Sequence, residues 1–167
     1  MLTNNFRKIL NYMFKNTTLL VKNNIVGLDG EIITYTREDS IPLNFLKKSR
    51  QAILTSDNTE TEGVFIAYGN GTTIATSNDY NLEGEITDLT LLGNSVSITD
   101  NGYVVTSSIK NTSNEDIIVK ELGIFETSSS FNQYANRLTF MLTRNVLETP
   151  ITIKPNETKT FTITINF

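Results

Sequence analysis

Residues 154–167 read KPNETKTFTITINF, and this stretch decides the fold. Phe161, Ile163, Ile165 and Phe167 fall on one side and Thr160, Thr162 and Thr164 on the other. That period of two belongs to a strand with one buried face. Pro155-Asn156-Glu157-Thr158 ahead of it is a turn that launches the strand. Toward the N-terminus, Arg137 to Leu147 alternates Leu138, Phe140 and Leu142 against Thr139 and Thr143. Ile117 to Glu126 is apolar on both faces, as a central strand requires. Ser95 to Thr99 and Tyr103 to Lys110 flank Asp100-Asn101-Gly102, whose Asn-Gly suits a hairpin turn. Val64 to Tyr68 supplies a further strand. Short strands at roughly ten-residue spacing, with turn signals between them, predict a mainly β protein. The expected architecture is an antiparallel β-sandwich, immunoglobulin-like or jelly-roll-like.

The first third differs. In LTNNFRKILNYMFKN, Phe6, Ile9, Leu10, Met13 and Phe14 recur at helical spacing and form one apolar stripe. Thr3 is the expected N-cap, and Lys15 suits the C-terminal end of the dipole. So short a helix must pack on something, either its own core or another subunit. Leu19 to Lys22 and Glu31 to Thr36 flank Gly27-Leu28-Asp29-Gly30 and predict a hairpin. The polar run Asp57 to Glu62 is the best boundary, dividing a helix-plus-hairpin attachment segment (1–56) from the sandwich (57–167), unless the two form one continuous domain.

Composition narrows the chemistry. The 167 residues include no Cys and no His, the usual ligands for zinc, copper and haem and the usual thiol and imidazole catalysts. The net charge of −4 comes from interspersed acidic and basic residues, which argues against a nucleic-acid surface. No apolar run approaches the ~20 residues of a membrane helix. Twenty Asn and 25 Thr suit turns and pleated strands.

Three features remain as candidate sites. Gly69-Asn70-Gly71-Thr72-Thr73 has the look of a phosphate cradle, but no lysine, third glycine or helix follows. The glycines are expected to let the chain turn out of the preceding strand with positive φ at both. Asp79, with Glu83 and Glu85, could hold calcium, but that needs about six oxygen ligands from a denser loop. Asp79 is expected to brace its own loop. Glu121 and Arg144 sit among apolar strand residues, where a structural ion pair competes with the alternative that both side chains stay wet. No cofactor, metal or catalytic set is expected.

One segment resembles a known pattern. Gly69, Gly71, Thr72, Thr73, Thr76, Asp79, Leu82, Glu85 and Ile86 are similar to the GxGTTxPTxxDxxLxxEI pattern of structural proteins of tailed bacteriophages, with Ala75 at the proline position. The N-terminal LTNNFRKIL and the ending LTFMLTRNVLETPITIKPNETKTFTITINF resemble their leading helix and closing strands, with Asn156 where glycine is usual. The resemblance implies a non-enzymatic virion protein, sited in the virion at the tail, neck or fibre attachment. Its partners would be other virion proteins and copies of itself. A capsid decoration or head-fibre protein, or a receptor- or glycan-binding sandwich, is the alternative. The apolar stripe and Phe161 and Phe167 are the expected contacts.

Overall fold

The computed structural model describes residues 1–7, 23–35, 63–99, 102–128 and 138–166. Eight strands follow in chain order: β1 (Asn23–Val26), β2 (Ile32–Tyr35), β3 (Gly63–Gly69), β4 (Leu89–Thr99), β5 (Gly102–Asn111), β6 (Ile117–Ser128), β7 (Leu138–Ile153) and β8 (Thr158–Asn166). β1 and β2 form a two-stranded hairpin; the others make two antiparallel three-stranded sheets, β3-β6-β7 and β4-β5-β8. The fold is a β-sandwich. Its core is drawn from both sheets: Val64, Ile66, Tyr68, Leu122, Ile124, Phe140 and Leu142 from one, Leu89, Val105, Ile109, Phe161 and Ile165 from the other.

β6 shows why both of its faces are apolar. It lies between β3 and β7, with Leu122 and Ile124 in the sandwich core. Phe125 points the other way and joins Ala67, Leu82 and Met141 in a smaller cluster on the outer face of the same sheet. There its ring stacks on Phe65, its register partner, at 5.7 Å.

Several elements differ from their expected bounds. β4 begins at Leu89 rather than Ser95, because a register shift between Leu91 and Gly93 breaks the alternation that marks a strand. β7 runs past Pro150 because its pairing jumps from Glu121↔Val146 to Val119↔Ile151. The proline thereby sits in a bulge, where no ladder N–H is needed. The described part of the hairpin pairs Asn23–Val26 with Ile32–Tyr35, Val26 facing Ile32 directly across the Gly27–Glu31 loop. Residues 19–22 lie outside the described residues.

The N-terminal helix is described only over residues 4–7. Thr3 caps it, accepting a hydrogen bond from Phe6 N (3.3 Å) while its hydroxyl donates to Met141 O (2.8 Å). Of the apolar stripe, Phe6 is fully buried in the sandwich core, while Ile9, Leu10, Met13 and Phe14 lie outside the described residues. Residues 1–3 extend the sheet: Leu2 bridges Thr143, Thr3 N donates to Leu142 O (3.0 Å) and Arg144 N to Met1 O (3.1 Å). Among the described residues no helix is long and apolar enough to cross a membrane.

At one end of the sandwich Asn111, fully buried, ties the turns together. Its Nδ2 donates to Glu115 O and Ile153 O (both 2.8 Å), and its Oδ1 accepts from Ser113 N (2.9 Å). The adjoining turn places Asn156 at φ 63°, the left-handed region that Asn tolerates better than most residues.

Candidate functional site: a carboxylate latch under the 69–86 loop

The loop from Gly69 to Ile86 crosses the outer face of β3-β6-β7, and Glu121 and Arg144 fasten it there. Glu121, on β6, has no solvent exposure, and Arg144, on β7, almost none. Glu121 Oε2 accepts a hydrogen bond from Arg144 Nε at 2.7 Å. Glu121 Oε1 accepts three backbone N–H groups, from Gly71 (3.1 Å), Glu83 (2.9 Å) and Gly84 (3.1 Å). Four donors on one carboxylate use about all of its lone-pair sites. With three bonds on Oε1 and one on Oε2, this buried acid anchors the loop to β6 and β7.

Arg144 gathers the rest of the loop. Its Nη1 donates to Asp79 Oδ2 (2.9 Å), and its Nη2 lies 3.3 Å from Glu83 Oε2, within ion-pair range but without hydrogen-bond alignment. Asp79 also accepts from Thr76 N (2.9 Å) and the Thr76 hydroxyl (2.7 Å), closing its own loop as expected. Burial pushes the Asp79 carboxyl up, but the Thr76 N–H, the Arg144 guanidinium and the Thr76 hydroxyl together hold it below the usual carboxylate range. Hydrogen bonds from Thr73, foremost, and the Arg144 charge hold the Glu83 carboxyl low as well. The cation that Asp79 and Glu83 gather is the chain's own guanidinium. Among the described residues no group of three or more His, Cys, Asp or Glu could hold a metal ion.

The glycine motif does cradle an anion, an internal one. Gly71 N points at Glu121, and Thr72 N and Thr73 N both donate to Glu83 Oε2 at 3.1 Å. Its glycines are required for a different reason from the one expected. Neither Gly69 nor Gly71 has positive φ; only Gly30 and Gly63 do among the described glycines. A Cβ at Gly69 would lie 2.7 Å from Glu121 Cγ, and one at Gly71 would lie 2.6 Å from Glu121 Oε1. Close approach to the buried carboxylate, not turn geometry, excludes a side chain. Gly84 completes the set, since a Cβ there would overlap Asn70 Oδ1.

Leu82 seals the latch from below, buried against Ala67, Phe125 and Met141. Glu85 bridges Gly69, with Asn70 N donating to Gly84 O and Ile86 N to Tyr68 O (both 2.8 Å). Nearly every polar position of the GxGTT…D..L..E pattern therefore converges on one interlock. Sequence reasoning treated the glycines, Asp79 and the Glu121–Arg144 pair as separate features, weighed Glu83 only as a calcium ligand beside Asp79, and assigned Gly84 no part. The signal available was Glu121 inside the apolar run of β6, a carboxylate that had to find donors once buried.

The other expected contact residues are placed differently. Phe161 is in the core, its ring 5.1 Å from that of Tyr68, and Phe167 lies outside the described residues. Surface apolar groups are found elsewhere, with Ile74 at the loop tip 83% exposed. No protein-family model, curated protein or solved structure matches the chain.

Proposed function

We propose that this chain is a non-enzymatic building block of a tailed-phage virion, assembling with other virion proteins and with copies of itself at the tail, neck or fibre attachment. The observation that carries the reading is the use made of the GxGTT pattern. The residues that resemble phage structural proteins are spent on locking a loop to a sheet, where Asp79, Glu121 and Arg144 bond to one another and to the loop's backbone. Such a latch makes a stiff, chemically inert surface, which suits a part that must keep its shape within an assembly. The N-terminal segment supports the same reading in a modified form. Residues 1–6 are a component of the sandwich, so docking onto neighbours falls to its edges and loop tips rather than to Phe6.

Antibodies raised against the purified chain, applied to particles of the phage that encodes it, test this by immuno-electron microscopy. Labelling at the tail, neck or fibre base is the expected result. Labelling spread over the head would move the chain to capsid decoration. Unlabelled particles, with the chain confined to the soluble lysate, would refute a virion role.

A further inference from the structure

The two sheets differ at their edges. Both edges of β3-β6-β7 are occupied by the chain itself. Met1–Thr3 lie along β7, while the Gly84–Ile86 segment and the Asn94 side chain, which donates to Val64 O at 2.7 Å, lie along β3. The outer edges of β4 and β8 have no strand or bridge beside them among the described residues. β4 is blunted by its bulge between Leu91 and Gly93, which twists an edge out of register with any incoming strand. β8 has no such device. It pairs β5 from Thr158 to Asn166 without a shift, contains no proline, and carries no charge except Lys159. Proteins normally avoid leaving a long, regular, uncharged edge open, because its N–H and C=O groups template another strand.

We propose that the occupant of this edge is β8 of a second copy, running antiparallel across a twofold axis and joining two three-stranded sheets into one of six. The proposal rests on the building-block reading for its use, though not for its geometry. An antiparallel pairing of identical edges is self-complementary. The charge pattern selects self-pairing too. With the axis at Ile163, Thr162 faces Thr164 of the second copy and Phe161 faces Ile165. The two Lys159 then stand eight positions apart (167 − 159) along the ladder, about 27 Å at ~3.4 Å per residue and well beyond a Debye length of ~8 Å. The outer face continues across the join. Hydroxyls on neighbouring strands already meet there, Thr106 with Thr162 (3.2 Å) and Ser108 with Thr160 (2.6 Å).

Sedimentation equilibrium of the full chain tests the pairing, with a mass of twice 18.7 kDa expected. Thr162→Lys/Thr164→Lys sets like charges opposite each other and should give a monomer with the β-rich circular dichroism spectrum of the wild type and a melting point that no longer rises with protein concentration. Thr162→Lys/Thr164→Glu sets opposite charges in register and should restore the dimer. Because the chain has no cysteine, Thr162→Cys/Thr164→Cys gives a reading that does not depend on the charged variants folding. Opposed strand residues are within disulfide reach, so mild oxidation should yield a covalent dimer. A wild-type monomer, an assembly that survives the double lysine change, or cysteine variants that stay monomeric on oxidation would each overturn the pairing. None of those results bears on particle labelling, which tests the virion reading separately.

Discussion

Replacing Glu121 with Gln isolates what the latch contributes. The change keeps the shape and leaves one carbonyl oxygen for the N–H groups of Gly71, Glu83 and Gly84. It also turns an amide NH2 toward Arg144 Nε, placing donor against donor where the ion pair now measures 2.7 Å. Removing one partner of a buried pair costs about 3–5 kcal/mol. Arg144 keeps Asp79 at 2.9 Å and Glu83 at 3.3 Å, which places the loss near the lower end, about 3 kcal/mol. For a domain of this size each kcal/mol shifts Tm by roughly 2–4 °C, so a drop of about 6–12 °C is expected. Circular dichroism melts and urea titrations give the two independent measures. Arg144→Met should cost a similar amount, and the double variant should cost less than the sum by about 1 kcal/mol or more. A Glu121→Gln protein within about 1 kcal/mol of wild type would show that the carboxylate does not hold the loop, and the reasoning would fail.

Acid should loosen the same loop. The Asp79 and Glu83 carboxyls sit below their ordinary values when folded, so the unfolded chain takes up protons first as pH falls. Their stabilisation is therefore complete above about pH 5 and declines as pH drops through ~4 and below; urea midpoints across that range should show the fall, and Asp79→Asn should flatten it. Gly71→Ala, which drives a Cβ into Glu121 and Glu83, should cost about 1–3 kcal/mol, whereas Gly93→Ala, with open space around it, should stay within about 0.5 kcal/mol by the same titration. Phe6→Ala should cost about 3–5 kcal/mol in the isolated chain, because its ring is core rather than docking surface. A Phe6→Ala protein that melts like wild type would return that ring to the surface.

What the sequence by itself determined is local. Period-two alternation marked β8, Thr3 announced a cap, and the double-sided apolarity of β6 announced a central strand, because each signal is carried by residues adjacent in the chain. β4 and β7 were read short where bulges shift the phase, since alternation reports pleat only while register is continuous. Only the tertiary structure decided the latch. Glu121 meets Gly71 across 50 positions and Asp79 meets Arg144 across 65, separations over which no spacing rule operates. The glycines illustrate the difference. Their presence was legible, but their cause, a buried carboxylate pressed against the backbone, exists only once β6 lies beneath the loop. The same holds for the edges: the composition of β8 is written in the chain, and its place at the end of the order β4-β5-β8 is set by how the strands pair.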